Sequence, residues 1–186
     1  MAIPRISPLT EPLPAGIAAR LRRLLPEGVP APQIFLTVAR NEGLFENLVD
    51  SGLLGPTGLL DRGALRPALR ELVILRTCTA SGNHYEFNLH EQTISQRMGL
   101  TRAQIDNLRR TQLNNALWSP EEQAAVALVD ALVQRLDVND EEFAAAHRHF
   151  DDATLIEITQ LVGLYTGVAM LVALARPRFD AYTLPG

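Results

Sequence analysis

Apolar residues recur at intervals of three and four along nearly the whole chain past residue 28, and no stretch alternates with the two-residue period of a strand for more than a few positions. That spacing predicts an all-α fold, a helical bundle. The expected helices are Gln33 to Arg40, Glu42 to Gly52, Arg66 to Ser81, His84 to Met98, Arg102 to Arg110, Pro120 to Asp137, Asp140 to Phe150 and Ala153 to Ala175. Gly and Pro punctuate the junctions. Gly55, Pro56 and Gly58 read as a loop, and Gly82 and Gly99 read as helix stops. Thr101 reads as a helix cap, while Ser119 with Pro120 and Glu122, and Asn139 with Glu142, carry the capping-box signature.

Residues 1–28 break their few apolar positions with Pro4, Pro8, Pro12, Pro14 and Pro26, so they read as an N-terminal arm holding one short helix near Ile17 to Leu25. They do not read as an export signal. Residues 29–186 read as a single all-helical domain, since 186 residues with 47% hydrophobic content are enough for one sizeable core. The apolar run Leu161 to Ala175 is shorter than the roughly 20 residues that span a bilayer, which predicts a buried core helix and no membrane partner. Gly163 and Gly167 stand four apart in it, a spacing suited to tight internal or subunit packing.

Composition removes several kinds of chemistry. All 17 basic residues are Arg, so Schiff-base catalysis, lysine-anchored cofactors and a P-loop lysine are excluded. A formal charge of −4 supplies no overall positive field for nucleic acid. The single cysteine, Cys78, forbids an intrachain disulfide or a multi-thiolate zinc site, and a reducing cytoplasmic setting is expected. No metal site is expected either: His147 and His149 point to different helix faces, and Glu86 with His90 gives only two ligands.

The candidate chemistry lies between residues 71 and 90. Glu71 sits on a helix made mostly apolar by Leu69, Leu72, Val73, Leu75 and Cys78. A carboxylate buried there either finds a structural partner or becomes a proton carrier tuned toward neutrality. Asn83, Glu86 and His90 fall on one stripe of the next helix. Asn83 and Glu86 also satisfy an asparagine variant of the capping box, which needs no chemistry. His90 has the intrinsic pKa best suited to acid–base work, although a single helical histidine also serves as an ordinary interior residue.

The stretch Leu-Arg-Glu-Leu-Val-Ile-Leu-Arg, followed by Tyr-Glu-Phe-Asn-Leu-His and Gly-Leu-Thr, resembles the carboxymuconolactone decarboxylase family, which includes alkyl hydroperoxidase D. The resemblance runs from about Ile34 to Arg176 and is most specific from Glu71 to Leu100. It implies an alkyl hydroperoxidase D-like helical bundle that forms homo-oligomers. The peroxidase pattern of Glu, Cys, Cys and His falls on Glu71, Asn83, Glu86 and His90 with its spacing unbroken, and both cysteines are missing.

A disulfide-cycling peroxidase needs two thiols, so the resemblance points to the decarboxylase branch, with a small-molecule substrate and no cofactor. The roles expected are proton delivery by His90, tuning or relay by Glu71 and Glu86, a hydrogen bond from Asn83 to a substrate oxygen, and a carboxylate clamp at Arg76, where a salt bridge is the alternative. Three other readings stay open: peroxidase chemistry through Cys78, which otherwise reads as a small core residue; a helix-turn-helix over Thr93 to Ile105 with Arg102, Arg109 and Arg110; and a non-catalytic oligomeric protein.

Overall fold

The computed structural model describes residues 4–54 and 65–182, and all of its regular elements are helical. The loop expected at Gly55, Pro56 and Gly58 lies outside the described residues. The chain divides into two compact units, residues 1–63 with 172–180, and residues 64–171 with 181–186.

The first unit contains α1 (Ala15–Leu24), α2 (Gln33–Val38) and α3 (Glu42–Asp50). Ile17 and Leu21 of α1 are buried with Ala39, Phe45 and Val49. The segment read from its prolines as an arm therefore contributes to a core. Arg20 joins Glu46 at 2.7 Å and Asp50 at 2.6 Å, fixing α1 to α3 along the core's edge.

In the second unit α4 (Pro67–Ala80) packs against α5 (His84–Thr93), α6 (Arg102–Leu108) and α7 (Pro120–Arg135), and α7 packs against α8 (Asp140–His147). Every residue of α4 from Glu71 to Cys78 is buried, as expected of a helix surrounded by others. Pro67 starts it at a position where a missing N–H costs nothing. Gly82, at φ +70°, then takes a left-handed conformation that lets the Asn83 N–H reach the Cys78 carbonyl at 2.7 Å, and the chain turns directly into α5. Capping boxes at Thr101 with Gln104, Ser119 with Glu122, and Asn139 with Glu142 start α6, α7 and α8.

Two expectations need correction. Helix α5 ends at Thr93 and not at Met98. The β-branched pair Thr93 and Ile94 is a poor continuation, and the Ser95 N–H bonds back to the His90 carbonyl at 3.0 Å, which turns Ser95 out of the helix and into the interior. The second concerns α9 (Asp152–Ala175), expected to be a buried core helix. Only 33% of its most apolar window is buried, and by length and composition alone it could cross a membrane. Apolar residues on every side hide which face meets the core, so periodicity could not show that one face stays uncovered.

Candidate functional site

Glu71 lies in the middle of α4 and His90 in the last turn of α5, and the Gly82 turn brings them side by side. His90 Nδ1 stands 3.0 Å and 3.2 Å from the two Glu71 carboxylate oxygens. The Ser95 hydroxyl donates to Oε1 of the same carboxylate at 2.6 Å. On the other side of the imidazole, Nε2 is 3.2 Å from the Tyr165 hydroxyl of α9 and 3.5 Å from Glu86 Oε1. The Tyr165 ring meets His90 edge-on with centroids 5.5 Å apart. Both imidazole nitrogens are thus engaged, and all five side chains are buried.

Burial alone would drive His90 toward its neutral form, but the charges and hydrogen bonds of Glu71 and Glu86 outweigh it and push its pKa up from 6.5 to about 10. Glu71 shows the same contest from the acid side. Burial favours its neutral form, and His90 and Ser95 more than offset this, holding the carboxyl below its usual range. The resting pair near pH 7 is therefore a carboxylate against an imidazolium. Burial, reinforced by Glu86 and Glu71, pushes the Tyr165 phenol well above its ordinary value, so it stays protonated.

Asn83 caps α5, its Oδ1 accepting from the Glu86 N–H at 3.2 Å. This is the capping geometry expected from the sequence, yet it does not use up the two side chains. Asn83 Nδ2 and Glu86 Oε2 are both buried without a hydrogen-bond partner among the described residues, in side chains belonging to residues 3% and 7% exposed. A buried donor and a buried acceptor left open cost of order 1 to 3 kcal/mol each. They are the polar atoms of the site available to another molecule.

Of the six residues singled out from sequence, Glu71, Asn83, Glu86 and His90 come together. Arg76 is corrected: its guanidinium meets Asp130 of α7 through two 2.6 Å bonds and donates to the carbonyls of Arg110 and Thr111 at 2.8 and 3.1 Å. Such a fork fastens α4 to α7 and leaves no face for a substrate carboxylate. The salt bridge read as the alternative for Arg76 is what forms, and it is buried on the arginine's side. Replacing Arg76 by Met should lower unfolding free energy by about 3 kcal/mol in urea titrations, because Asp130 and two carbonyls lose their donor. Arg76→Lys should not restore the loss.

Cys78 is buried, and burial together with the negative charges of Glu86 and Glu71 pushes its thiol well above the ordinary range. A thiolate nucleophile needs the opposite environment. Two of the three arginines of the helix-turn-helix reading are engaged within the chain: Arg102 pairs with Glu91 and Asp106 at 2.9 Å each, and Arg109 pairs with Glu91 while lying 4.1 Å over the Phe87 ring. The would-be recognition helix, α6, has only seven residues. Among the described residues no cluster of three His, Cys, Asp or Glu gathers for a metal ion.

Cavities of about 280 and 710 Å³ lie elsewhere, the first bordered by Arg66, Glu121 and His149 and the second by Leu13, Leu21 and Leu36, and neither is lined by a residue of the His90 cluster. Sequence reasoning missed Ser95, hidden inside a helix expected to run to Met98, and Tyr165, set in an uncharged helix. A buried phenol demands a hydrogen-bond partner, and that was the available signal for Tyr165.

Residues 56–131, the stretch holding Glu71, Asn83, Glu86 and His90, match the profile of the carboxymuconolactone decarboxylase family. Solved structures that share the fold include three described as follows. The debrominase Bmp8 without ligand is similar at a TM-score of 0.76 and 17% identity, over 95% of this chain and 92% of that one. A cysteine-to-alanine variant of Bmp8 in complex with 2,3,4-tribromopyrrole gives a TM-score of 0.72 at 18% identity, over 97% and 94%. A protein of unknown function from Agrobacterium tumefaciens, suggested to be the antioxidant defence protein AhpD, gives 0.60 at 19% identity, over 67% and 84%. These likenesses establish an all-helical, AhpD-like fold. No curated protein matches the chain by sequence.

Proposed function

We propose, from the premise that residues 56–131 are a carboxymuconolactone decarboxylase family segment, that this chain is a cofactor-free acid–base enzyme acting on a small unsaturated lactone or carboxylic acid. The observation that supports this best is the doubly engaged His90, paired through Nδ1 with Glu71 and adjoining Tyr165 and Glu86 through Nε2. In the decarboxylation, the bond from the ring carbon to the carboxylate breaks. Its electron pair passes into the conjugated lactone as an enolate, carbon dioxide leaves, and the carbanionic carbon takes up one proton.

His90 is the source of that proton. Nδ1 faces Glu71, so the proton leaves from Nε2, and Tyr165 and Glu86 are the groups placed to pass it on. Glu71, oriented by Ser95, steadies the imidazolium and fixes which nitrogen gives up the proton. Asn83 Nδ2 donates to a substrate oxygen. The positive charge of Arg70 acts on both Glu71 and Tyr165.

A panel of unsaturated lactone acids tests the reading. Wild-type protein in deuterated water should release carbon dioxide and place one deuterium on the former carboxylate-bearing carbon. His90→Ala should slow this by about 10² to 10⁴-fold, the usual contribution of a positioned acid. An inert wild type, or a His90→Ala variant of equal rate, would overturn the proposal in favour of a non-catalytic role.

A further inference from the structure

Two polar atoms in the first turn of α5 are left open among the described residues. Asn83 uses Oδ1 to accept from the Glu86 N–H at 3.2 Å, and its Nδ2 donates to nothing. Glu86 sets Oε1 at 3.5 Å from His90 Nε2, and its Oε2 accepts from nothing. Both residues are more than nine-tenths buried, and buried polar atoms are as a rule paired. Capping accounts for Oδ1 alone, since serine or aspartate would cap α5 equally well. The amide nitrogen is the part of Asn83 that the cap does not require.

Residues three apart on a helix are neighbours on one face, so the open donor and the open acceptor stand side by side. Gly82 and His84, on either side of Asn83, are exposed, so the turn that carries it is open to solvent. The two atoms make opposite demands. Nδ2 calls for an acceptor such as a carbonyl oxygen. A carboxylate oxygen only accepts, so Oε2 calls for an N–H or O–H. One molecule meets both when a carbonyl adjoins a donor, as on the edge of a lactam or of a hydroxyl group next to a carbonyl. The ring oxygen of a plain lactone would meet Oε2 lone pair to lone pair, and so would a ligand carboxylate. A ligand held at Oε2 also lies only one carboxyl group away from His90 Nε2, the nitrogen from which the proposed proton leaves.

We propose that this site selects its ligand by a carbonyl–donor edge: Asn83 Nδ2 donates to the carbonyl oxygen while Glu86 Oε2 accepts from the adjoining N–H or O–H. The substrates are then unsaturated lactams or hydroxy-substituted lactones, and plain lactones are disfavoured. This inference rests on the reading of the His90 cluster as a small-molecule site and names the substrate class within it.

NMR titration of the ¹⁵N-labelled full chain tests the proposal by binding alone, with three probes of one ring size: the unsubstituted unsaturated five-membered lactam, its N-methyl derivative and the lactone of the same ring. The lactam should bind about 10- to 100-fold more tightly than either of the others, as befits a hydrogen bond to a charged acceptor, and should shift the Asn83 side-chain NH₂ resonances. These comparisons need no variant. Glu86→Met should bring the lactam down to the affinity of the lactone. Asn83→Asp, which keeps the capping oxygen and loses the donor, should weaken lactam and lactone alike. Equal binding of the lactam and its N-methyl derivative, a lactone that binds as well as the lactam, an unmoved Asn83 amide, or no lactam binding would each overturn the proposal. Lactam preference in a protein that releases no carbon dioxide would uphold it and overturn the decarboxylation alone. Carbon dioxide release without lactam preference would do the reverse.

Discussion

Replacing Glu71 by alanine is expected to lower the free energy of unfolding by about 3 to 5 kcal/mol, the cost of removing one partner from a buried ion pair. The carboxylate has no solvent exposure and accepts from both His90 and Ser95. Without it, the imidazolium sits in the interior with only Glu86 nearby, and the Ser95 hydroxyl has lost its acceptor. Glu71→Gln keeps the shape and a carbonyl for Ser95 but removes the charge. It should cost less than alanine in urea unfolding and should still release the His90 proton at neutral pH. Equal stability of wild type and Glu71→Ala would show that the two side chains do not pair.

The second large effect is on pH. The folded-state pKa of His90, about 10, stands above its ordinary 6.5, so this group's stabilising contribution is complete below pH 6.5 and is lost as pH rises through about 10. The folded-state pKa of Glu71 stands below its ordinary 4.5, so its contribution is present above that pH and is lost as pH falls through the lowered value. The pair stabilises most between about pH 4.5 and 6.5. Urea midpoints measured from pH 6 to 9.5 should fall steadily in wild type, by an amount corresponding to several kcal/mol, and should be nearly flat over that range in Glu71→Gln. A wild-type midpoint independent of pH would contradict the pairing.

Much of this was legible in the sequence for identifiable reasons. Helix starts were readable because caps act locally: Ser119, Asn139 and Thr101 each bond within three residues of themselves. The convergence of Asn83, Glu86 and His90 followed from helical spacing alone, and burial of Glu71 followed from its apolar neighbours. What could not be read depends on partners distant in the chain. Arg76 is taken up by Asp130, 54 residues away, and Tyr165 reaches His90 across 75 residues. No local pattern marks either pairing. Ser95 was hidden by a helix end that spacing alone places several residues too late. The exposed face of α9 was hidden by its own uniformity.

The proposed proton delivery turns on the charge state of one imidazole, that of His90. Long-range ¹⁵N NMR of the wild-type protein, titrated from pH 6 to 9.5, measures it directly. His90 should keep both ring nitrogens protonated up to about pH 9 and begin to titrate only above that. A His90 resonance that titrates near pH 6.5, or is already neutral at pH 6, would contradict the carboxylate–imidazolium pair and the proton-delivery role built on it.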